Sequence, residues 1–456
     1  MGRFSDMKAM DFSLTQGSVP RGMILFALPI FLSNLFQQLY NAVDSLIVGN
    51  ILGGAALAAV SSSSSLIFLL TGFVNGISMG AGVLIARAYG AKDDDVLHRV
   101  VHTTVALGLA IGAVLTVVGV VLTPQILRWM GTPQDVLPNS VVYFRVYFLG
   151  SLAVVLYNMG ASILQSVGDS RSPMKYLVLA SLINVVLDLF LIGVVHTGVG
   201  GAALATIMSQ AVSAALCFRR LGRAPEAWGV RWRQVRFDLP MLRAVIAQGV
   251  PSGVQSSVVS LANVIVQANI NTFGASAMAG CGAYSRIEGF AFLPVTCFAM
   301  ALATFVSQNV GAGRPDRVRQ GMRFGLLCSS ALAECVGAII FLLAPVLIGA
   351  FSREPEVIAF GVRQSRTEAL FYCLLAFSHC SAGILRGLGR PVVPMVVMLA
   401  VWCGLRIVYI TLMLRLIPQI FVIFTAYPLT WGLTTLLFAW SVIHARIPEP
   451  LHPRQN

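Results

Sequence analysis

Two aspartates lie in otherwise apolar stretches, Asp44 in QQLYNAVDSLIVG and Asp188 in NVVLDLFLIG. A charged side chain at membrane depth costs about 2.5–3.5 kcal/mol on insertion scales, so such residues are functional candidates by default. Asn34, Gln37, Tyr40, Asn41 and Asp44 recur at helical spacing and share one face. Ser181, Asn184 and Asp188 form a second polar face, and Asn158, Thr206 and Gln210 add polar groups from neighbouring apolar runs. Two carboxyls that meet in a low-dielectric medium do not both stay charged, so such a pair holds a proton or a cation. A hard cation such as Na⁺ wants several oxygens, which Asp44, Asn184, Asp188 and Thr206 offer as a candidate site. Gln37, Tyr40, Asn41, Asn158 and Gln210 are the candidates to line a wet cavity. Proton, Na⁺ and an organic cation would compete for one negative site, which is the physical basis of antiport. The plainer reading, hydrogen bonding between helices, suits single Ser and Thr residues better than lone acids.

The second half carries Arg286, Glu288, Glu334, Glu368, His379 and Arg406 in apolar surroundings. Arg286 and Glu288 are two apart and do not face each other on a helix, so each needs another partner. Structural pairing and transport fit these residues equally. No clustered acid pair is readable in this half, so changes at Glu288 and Glu334 are expected to matter less than changes at Asp44. Pro29 precedes Asp44 in the same apolar run; it removes a backbone hydrogen bond and is expected to bend that helix.

The elements that position these groups are membrane helices. The chain of 456 residues is 57% hydrophobic and only 11% charged, with mean hydropathy +0.81. Soluble chains are about a quarter charged, so most of this surface faces lipid. Twelve runs are long enough to span, at about 22–50, 56–86, 100–128, 140–166, 174–195, 199–220, 240–272, 275–309, 320–350, 361–387, 393–415 and 420–444. The expected fold class is an all-α polytopic membrane protein. Net charge is +13. With the N-terminus cytoplasmic, most Lys and Arg fall on the inner side, and only Arg128, Arg145, Arg353, Arg363, Arg366 and Arg415 fall outside. Both termini are therefore expected in the cytoplasm, in an integral plasma-membrane protein, and the basic balance needs no nucleic-acid partner. The polar N-terminal segment reads as cytoplasmic rather than as a cleaved leader. Eight cysteines without C-x-x-C spacing read as small packing residues, not a metal or disulfide framework.

The two halves repeat. Gly53 lies over Gly274, Gly90 over Gly311, Asp95 over Asp316, Gly168 over Gly389 and Pro173 over Pro394, all at one offset, while Pro29 and Pro251 differ from it by one residue. Six spans per half give both copies the same orientation, a parallel repeat with cargo handled between the lobes. The expected division is an N-terminal segment (1–21), a first lobe (22–220), a basic linker (221–239), a second lobe (240–445) and a tail (446–456). Gly76, Ser78 and Gly80 fit G-x-S-x-G, but the nucleophile elbow needs a preceding strand; glycines four apart point to close helix packing. GVGGAA at 198–203 joins two spans and is not a dinucleotide fingerprint. The serines at 61–65 are expected to pack or hydrate. No Walker A sequence offers direct ATP drive.

Three stretches carry a family resemblance: PIFLSNLFQQLYNAVDSLIVGNILGGAALAAV, NVVLDLFLIGVVHTGVGGAALAT and YSRIEGFAFLP. They resemble, respectively, the first helix and loop, the fifth and sixth helices, and a later segment of multidrug and toxic compound extrusion (MATE) transporters, and the likeness covers nearly the whole chain. It implies twelve transmembrane helices in two pseudo-symmetric six-helix lobes, alternating access, and export of organic cations and amphipathic drugs against H⁺ or Na⁺. It implies no other cofactor, no enzyme activity, lipid surroundings and a monomer. The chain is more similar to the DinF-like branch, whose first-lobe cation site matches Asp44, Asn184, Asp188 and Thr206 by type and spacing, and whose bending proline matches Pro29. The NorM-like branch has an acid in the seventh helix, and this chain has none. The alternatives are a flippase for lipid-linked oligosaccharides, which would want several inward arginines for pyrophosphate, and a membrane-embedded enzyme, which would want a nucleophile or metal set.

Overall fold

The computed structural model describes residues 14–448 apart from 130, 131, 133 and 135, and leaves aside several side chains between 54 and 69. The serines at 61–65, the chain before residue 14 and the tail beyond 448 therefore lie, in whole or as side chains, outside the described residues.

The helices are α1 (Val19–Leu52), α2 (Gly54–Ala91), α3 (Asp94–Trp129), α4 (Leu137–Leu149), α5 (Ser151–Ser166), α6 (Arg171–Val194), α7 (Val199–Gly222), α8 (Leu239–Asn271), α9 (Ala275–Gly311), α10 (Pro315–Gly349), α11 (Pro355–Gly387), α12 (Val392–Leu416) and α13 (Phe421–Ile443). Eleven are long and apolar enough to cross a membrane, and α4 with α5, bent by 47°, supplies the twelfth span. Their outer faces carry exposed Val117, Val121, Leu342 and Val346, a surface that lipid would cover.

The repeat is visible in the backbone. Left-handed residues recur in pairs 221 positions apart: Gly53 with Gly274, Lys92 with Gly313, and Gly168 with Gly389. Each closes a helix end or turn, where φ near +60 to +100° favours glycine. The first six spans form one lobe and the last six the other, each with its own apolar cores. Between them, residues 231–238 return along α3. The Asp238 backbone N–H donates to Thr103 Oγ1 at 3.3 Å, and the Asp238 carboxylate caps α8 by accepting from the Met241 N–H at 3.1 Å. Arg99 Nε reaches the same carboxylate at 2.8 Å and holds it below the usual carboxylate range.

The lobes meet along a glycine seam. A Cβ on Gly76 would collide with the Gly253 backbone, one on Gly80 with Gly249, one on Gly90 with Gln308 and one on Gly311 with Arg87. The G-x-S-x-G match thus resolves as helix packing, with Ser78 Oγ turned onto its own helix at Val74 O, 2.9 Å away. Polar contacts reinforce the seam in a two-fold pattern. Arg87 Nη2 donates to Gly387 O at 3.2 Å, and Gln308 Nε2 donates to Ser166 O at 2.7 Å. Moving each partner by the repeat offset turns one contact into the other. The seam occupies the half of the molecule nearer the face that carries both ends of the described chain, where Leu14, Val19 and Met23 pack with Val310, Val318 and Ile447.

Because backbone meets backbone there, an added methyl has nowhere to go. Gly80→Ala is expected to destabilise the protein by about 1–3 kcal/mol, read as a lower unfolding midpoint in detergent; an unchanged midpoint would mean that α2 and α8 do not approach this closely.

Candidate functional site

Above the seam, a cavity of about 600 Å³ opens between the lobes, mostly within the first. Helix α1 supplies Ser33, Asn34, Gln37, Tyr40, Asn41 and Asp44; α4 and α5 add Tyr143, Tyr147, Tyr157 and Asn158; α7 adds Thr206 and Gln210. The second lobe contributes only Ser256, Met300, Ala303 and Thr304. Three helical turns of α1 present polar groups on one face because every third or fourth residue there is polar. The opposite face carries Leu39, Val43 and Leu46, all exposed and apolar.

Asp44 lines the cavity, and Asp188 lies behind that wall as its neighbour, the two carboxyls within electrostatic reach of each other. Both are buried, Asp188 completely. Asp188 Oδ1 and Oδ2 and Asp44 Oδ1 have no donor among the described residues. Two ionised carboxylates about 4 Å apart repel by roughly 4 kcal/mol at an effective dielectric near 20. A proton shared between them turns that repulsion into a hydrogen bond, and a cation between them serves equally.

Asn184 lies one turn before Asp188, is 1% exposed, and leaves both side-chain polar atoms without partners. Thr206 lines the cavity and donates back to Ala202 O at 3.1 Å, leaving its oxygen lone pairs available. Tyr40 lies beside the amides of Gln37 and Gln210, and Gln210 keeps its Oε1 unpaired. Asn158 lines the cavity and donates to Val154 O at 2.8 Å. Immediately after Asp188, α6 winds as a π-helix over Leu189–Val194, a local widening often found at functional positions. Pro29 is buried inside α1. Residues of α1 up to Ile30 pack in a core with the second lobe, whereas Val48 near its far end packs in a first-lobe core. The proline thus stands where α1 passes from one lobe to the other.

The aromatic wall escaped the sequence reading. Tyr143, Tyr147 and Tyr157 carry no charge and sit in apolar runs; the i, i+4 spacing of Tyr143 and Tyr147 was the available signal. The second lobe brings a correction. Glu288 and Glu368 do cluster, within electrostatic reach of each other and of Arg406, although they are eighty residues apart in the chain. Arg406 Nε and Nη2 donate to Thr430 Oγ1 at 3.1 and 2.8 Å, and its guanidinium stands 4.4 Å from the Tyr427 ring centroid and 5.4 Å from that of Trp402. Gln364 Nε2 donates to Glu368 Oε1 at 3.0 Å, and the Tyr284 and Tyr372 hydroxyls pair at 2.8 Å. This knot lies apart from the cavity lining. Glu334 stands outside it and accepts from the Cys373 N–H at 3.1 Å, while Arg286 is exposed.

The family model described as MatE matches residues 29–190 and 251–412, once in each half. The chain belongs to the MATE family of multidrug efflux transporters. Among its relatives are two proteins of Bacillus subtilis. The probable multidrug resistance protein YoeA is 31% identical over 393 residues, 84% of this chain and 85% of the relative. YpnP, of the same description, is 28% identical over 391 residues, again 84% and 85%. The fold is that of a solved MOP superfamily transporter from Pyrococcus furiosus, with a TM-score of 0.89 over 96% of this chain and 98% of that one, at 21% identity. Membership accounts for the repeat, the twelve spans and the cavity between lobes, and it makes the chain a transporter rather than an enzyme.

The second-lobe knot generates its own test. Arg406 is buried and held by Thr430 and two aromatic faces, with no carboxylate within ion-pair distance among the described residues. Removing it deletes charge-assisted hydrogen bonds worth about 1.5–3 kcal/mol. Arg406→Met should therefore lower the unfolding midpoint strongly, and adding Glu288→Gln should restore part of it. No loss in the single variant would show that Arg406 contributes nothing through these contacts.

Proposed function

We propose that this MATE transporter is an antiporter that exports organic cations and amphipathic drugs from the cytoplasm in exchange for H⁺ or Na⁺, with Asp44 and Asp188 as the coupling carboxylates. The observation that carries the reading is the pairing of Asp44, on the wall of a polar and aromatic cavity, with the fully buried Asp188, whose two carboxylate oxygens have no donor among the described residues. That pair holds a single exchangeable cation: a proton, a Na⁺ assisted by Asn184 and Thr206, or the charged end of a drug. The tyrosines of α4 and α5 supply π faces suited to organic cations. Cargo and coupling ion exclude each other at the pair, so movement of one outward requires entry of the other. The face carrying both chain ends is assigned to the cytoplasm by the excess of Lys and Arg there, which makes the seam a cytoplasmic seal and the described state open away from the cytoplasm. The concentration of polar groups in the first lobe supports the DinF-like rather than the NorM-like assignment. A pyrophosphate flippase is not favoured, because among the described residues the cavity lining contains an acid, Asp44, and no arginine.

Uptake into inverted vesicles, which reads export, with one gradient imposed at a time tests this. Asp44→Asn should abolish export at normal expression; retained export would remove Asp44 from the coupling. Glu288→Gln should impair export less. Thr206→Val keeps shape and deletes one oxygen ligand: it should weaken Na⁺-driven efflux severalfold and leave H⁺-driven efflux nearly intact. Equal loss under both gradients would assign Thr206 to cargo binding instead.

A further inference from the structure

The cytoplasmic seam encloses two arginines that the coupling scheme does not use. Arg386 on α11 donates from Nη2 to Gln255 Oε1 at 3.1 Å and from Nη1 to Met79 Sδ at 3.8 Å. Arg87 on α2 donates from Nη2 to the Gly387 carbonyl at 3.2 Å, one residue beyond Arg386. The Nε of each is shut off from solvent and has no partner among the described residues. Among the described residues neither arginine lies within ion-pair distance of a carboxylate. Gln248 Oε1, Gln308 Oε1 and Ser252 Oγ in the same seam are also enclosed and unpartnered. Within each lobe the repeat places a glutamine opposite each arginine, Gln308 for Arg87 and Gln165 for Arg386, so the fold tolerates a neutral amide at these positions. Packing alone therefore does not demand the charges.

Their place is also informative. Met79, whose sulfur touches Arg386, lines the cavity, as does Ser166, whose carbonyl Gln308 holds. The arginines thus lie directly beneath the cavity floor, on the cytoplasmic side in the proposed orientation. Parting of the seam would free both guanidinium groups from their neutral partners and leave them facing the route by which cargo enters. Among the described residues, His379 on the same helix is a titratable side chain in electrostatic reach of Arg386. Two unpaired guanidinium groups repel a simple cation and offer forked donors to a carboxylate or phosphate.

We propose that Arg386 and Arg87 form an anion-binding subsite at the cytoplasmic mouth, and that the preferred cargo is zwitterionic: its cationic end replaces the proton or Na⁺ at the acid pair, and its carboxylate is drawn in through the arginines. This rests on the antiport reading and narrows its substrate class. A matched pair of probes separates the two, ciprofloxacin, which carries one carboxylate and one ammonium, and its methyl ester, which keeps only the ammonium.

Uptake into inverted vesicles gives KM for each. The wild type should show a lower KM for ciprofloxacin than for the ester. Arg386→Gln should raise the ciprofloxacin KM about tenfold and leave the ester unchanged or improved. Arg87→Gln should act in the same direction, and Arg386→Lys should keep part of the preference. An equal or lower wild-type KM for the ester overturns the proposal without any variant, even where the ester is exported and antiport stands. Parallel loss of both substrates in the glutamine variants, with the protein present in the membrane, overturns it by assigning the arginines to gating. Export of neither probe under either gradient overturns this proposal, and gradient-driven export of a quaternary ammonium dye in the same vesicles shows separately whether antiport stands.

Discussion

Two neighbouring carboxyl groups sit inside a bundle that, among the described residues, offers no donor to either oxygen of Asp188 or to Oδ1 of Asp44, and their need for a positive charge organises the rest of the site. In water, Asp44 and Asp188 would ionise independently. Here α1 and α6 press them together under apolar cover, and Asn184, one turn away, also lacks partners. An unsatisfied group of this kind is expensive when buried, and a stable fold removes it unless something occupies the place. A proton, a hard cation and an ammonium all meet the same requirement, which is why one site can serve the coupling ion and the cargo in turn.

The lobes are built to part and reclose around that site. Backbone-to-backbone contact through Gly76, Gly80, Gly249 and Gly253 lets α2 and α8 come close without interlocking side chains. A seam of this kind gains van der Waals contact and leaves few bulky knobs to withdraw when it opens. The symmetry of the Arg87 and Gln308 contacts follows from duplication: each lobe reaches across to the same carbonyl of the other. The asymmetry lies in what fills the lobes. The first gathers its polar groups on the cavity, whereas the second sets Glu288 and Glu368 near Arg406 away from it, with Gln364 bonded to Glu368 and Arg406 held by Thr430 and aromatic faces.

Much of this architecture is written in the sequence because lipid imposes strict rules. Apolar length sets the spans, the distribution of arginines points to an orientation, and glycines at a constant offset expose the duplication. The face of α1 was legible for a local reason: five polar residues at helical spacing in a single apolar run. The bend between α4 and α5 was not, because residues 140–166 read as one continuous run in which Gly150 stands out no more than Gly160. The Glu288–Glu368–Arg406 knot was invisible for another reason. Its members come from three helices, and neither periodicity nor spacing relates side chains whose meeting depends on tertiary packing. The tyrosines of α4 escaped because an aromatic ring in an apolar helix looks the same whether it faces lipid or a cavity.

The most direct test of the account is the cation balance of cargo binding. Purified protein is titrated with a quaternary ammonium probe, which carries charge but no proton of its own, in weakly buffered Na⁺-free solution with a pH-sensitive dye. The account predicts release of about one proton per probe bound by the wild type, weakening of probe affinity as Na⁺ is added, and no proton release from the Asp44→Asn variant. Probe binding that releases no proton and is indifferent to Na⁺ would contradict the claim that the two aspartates hold one exchangeable cation.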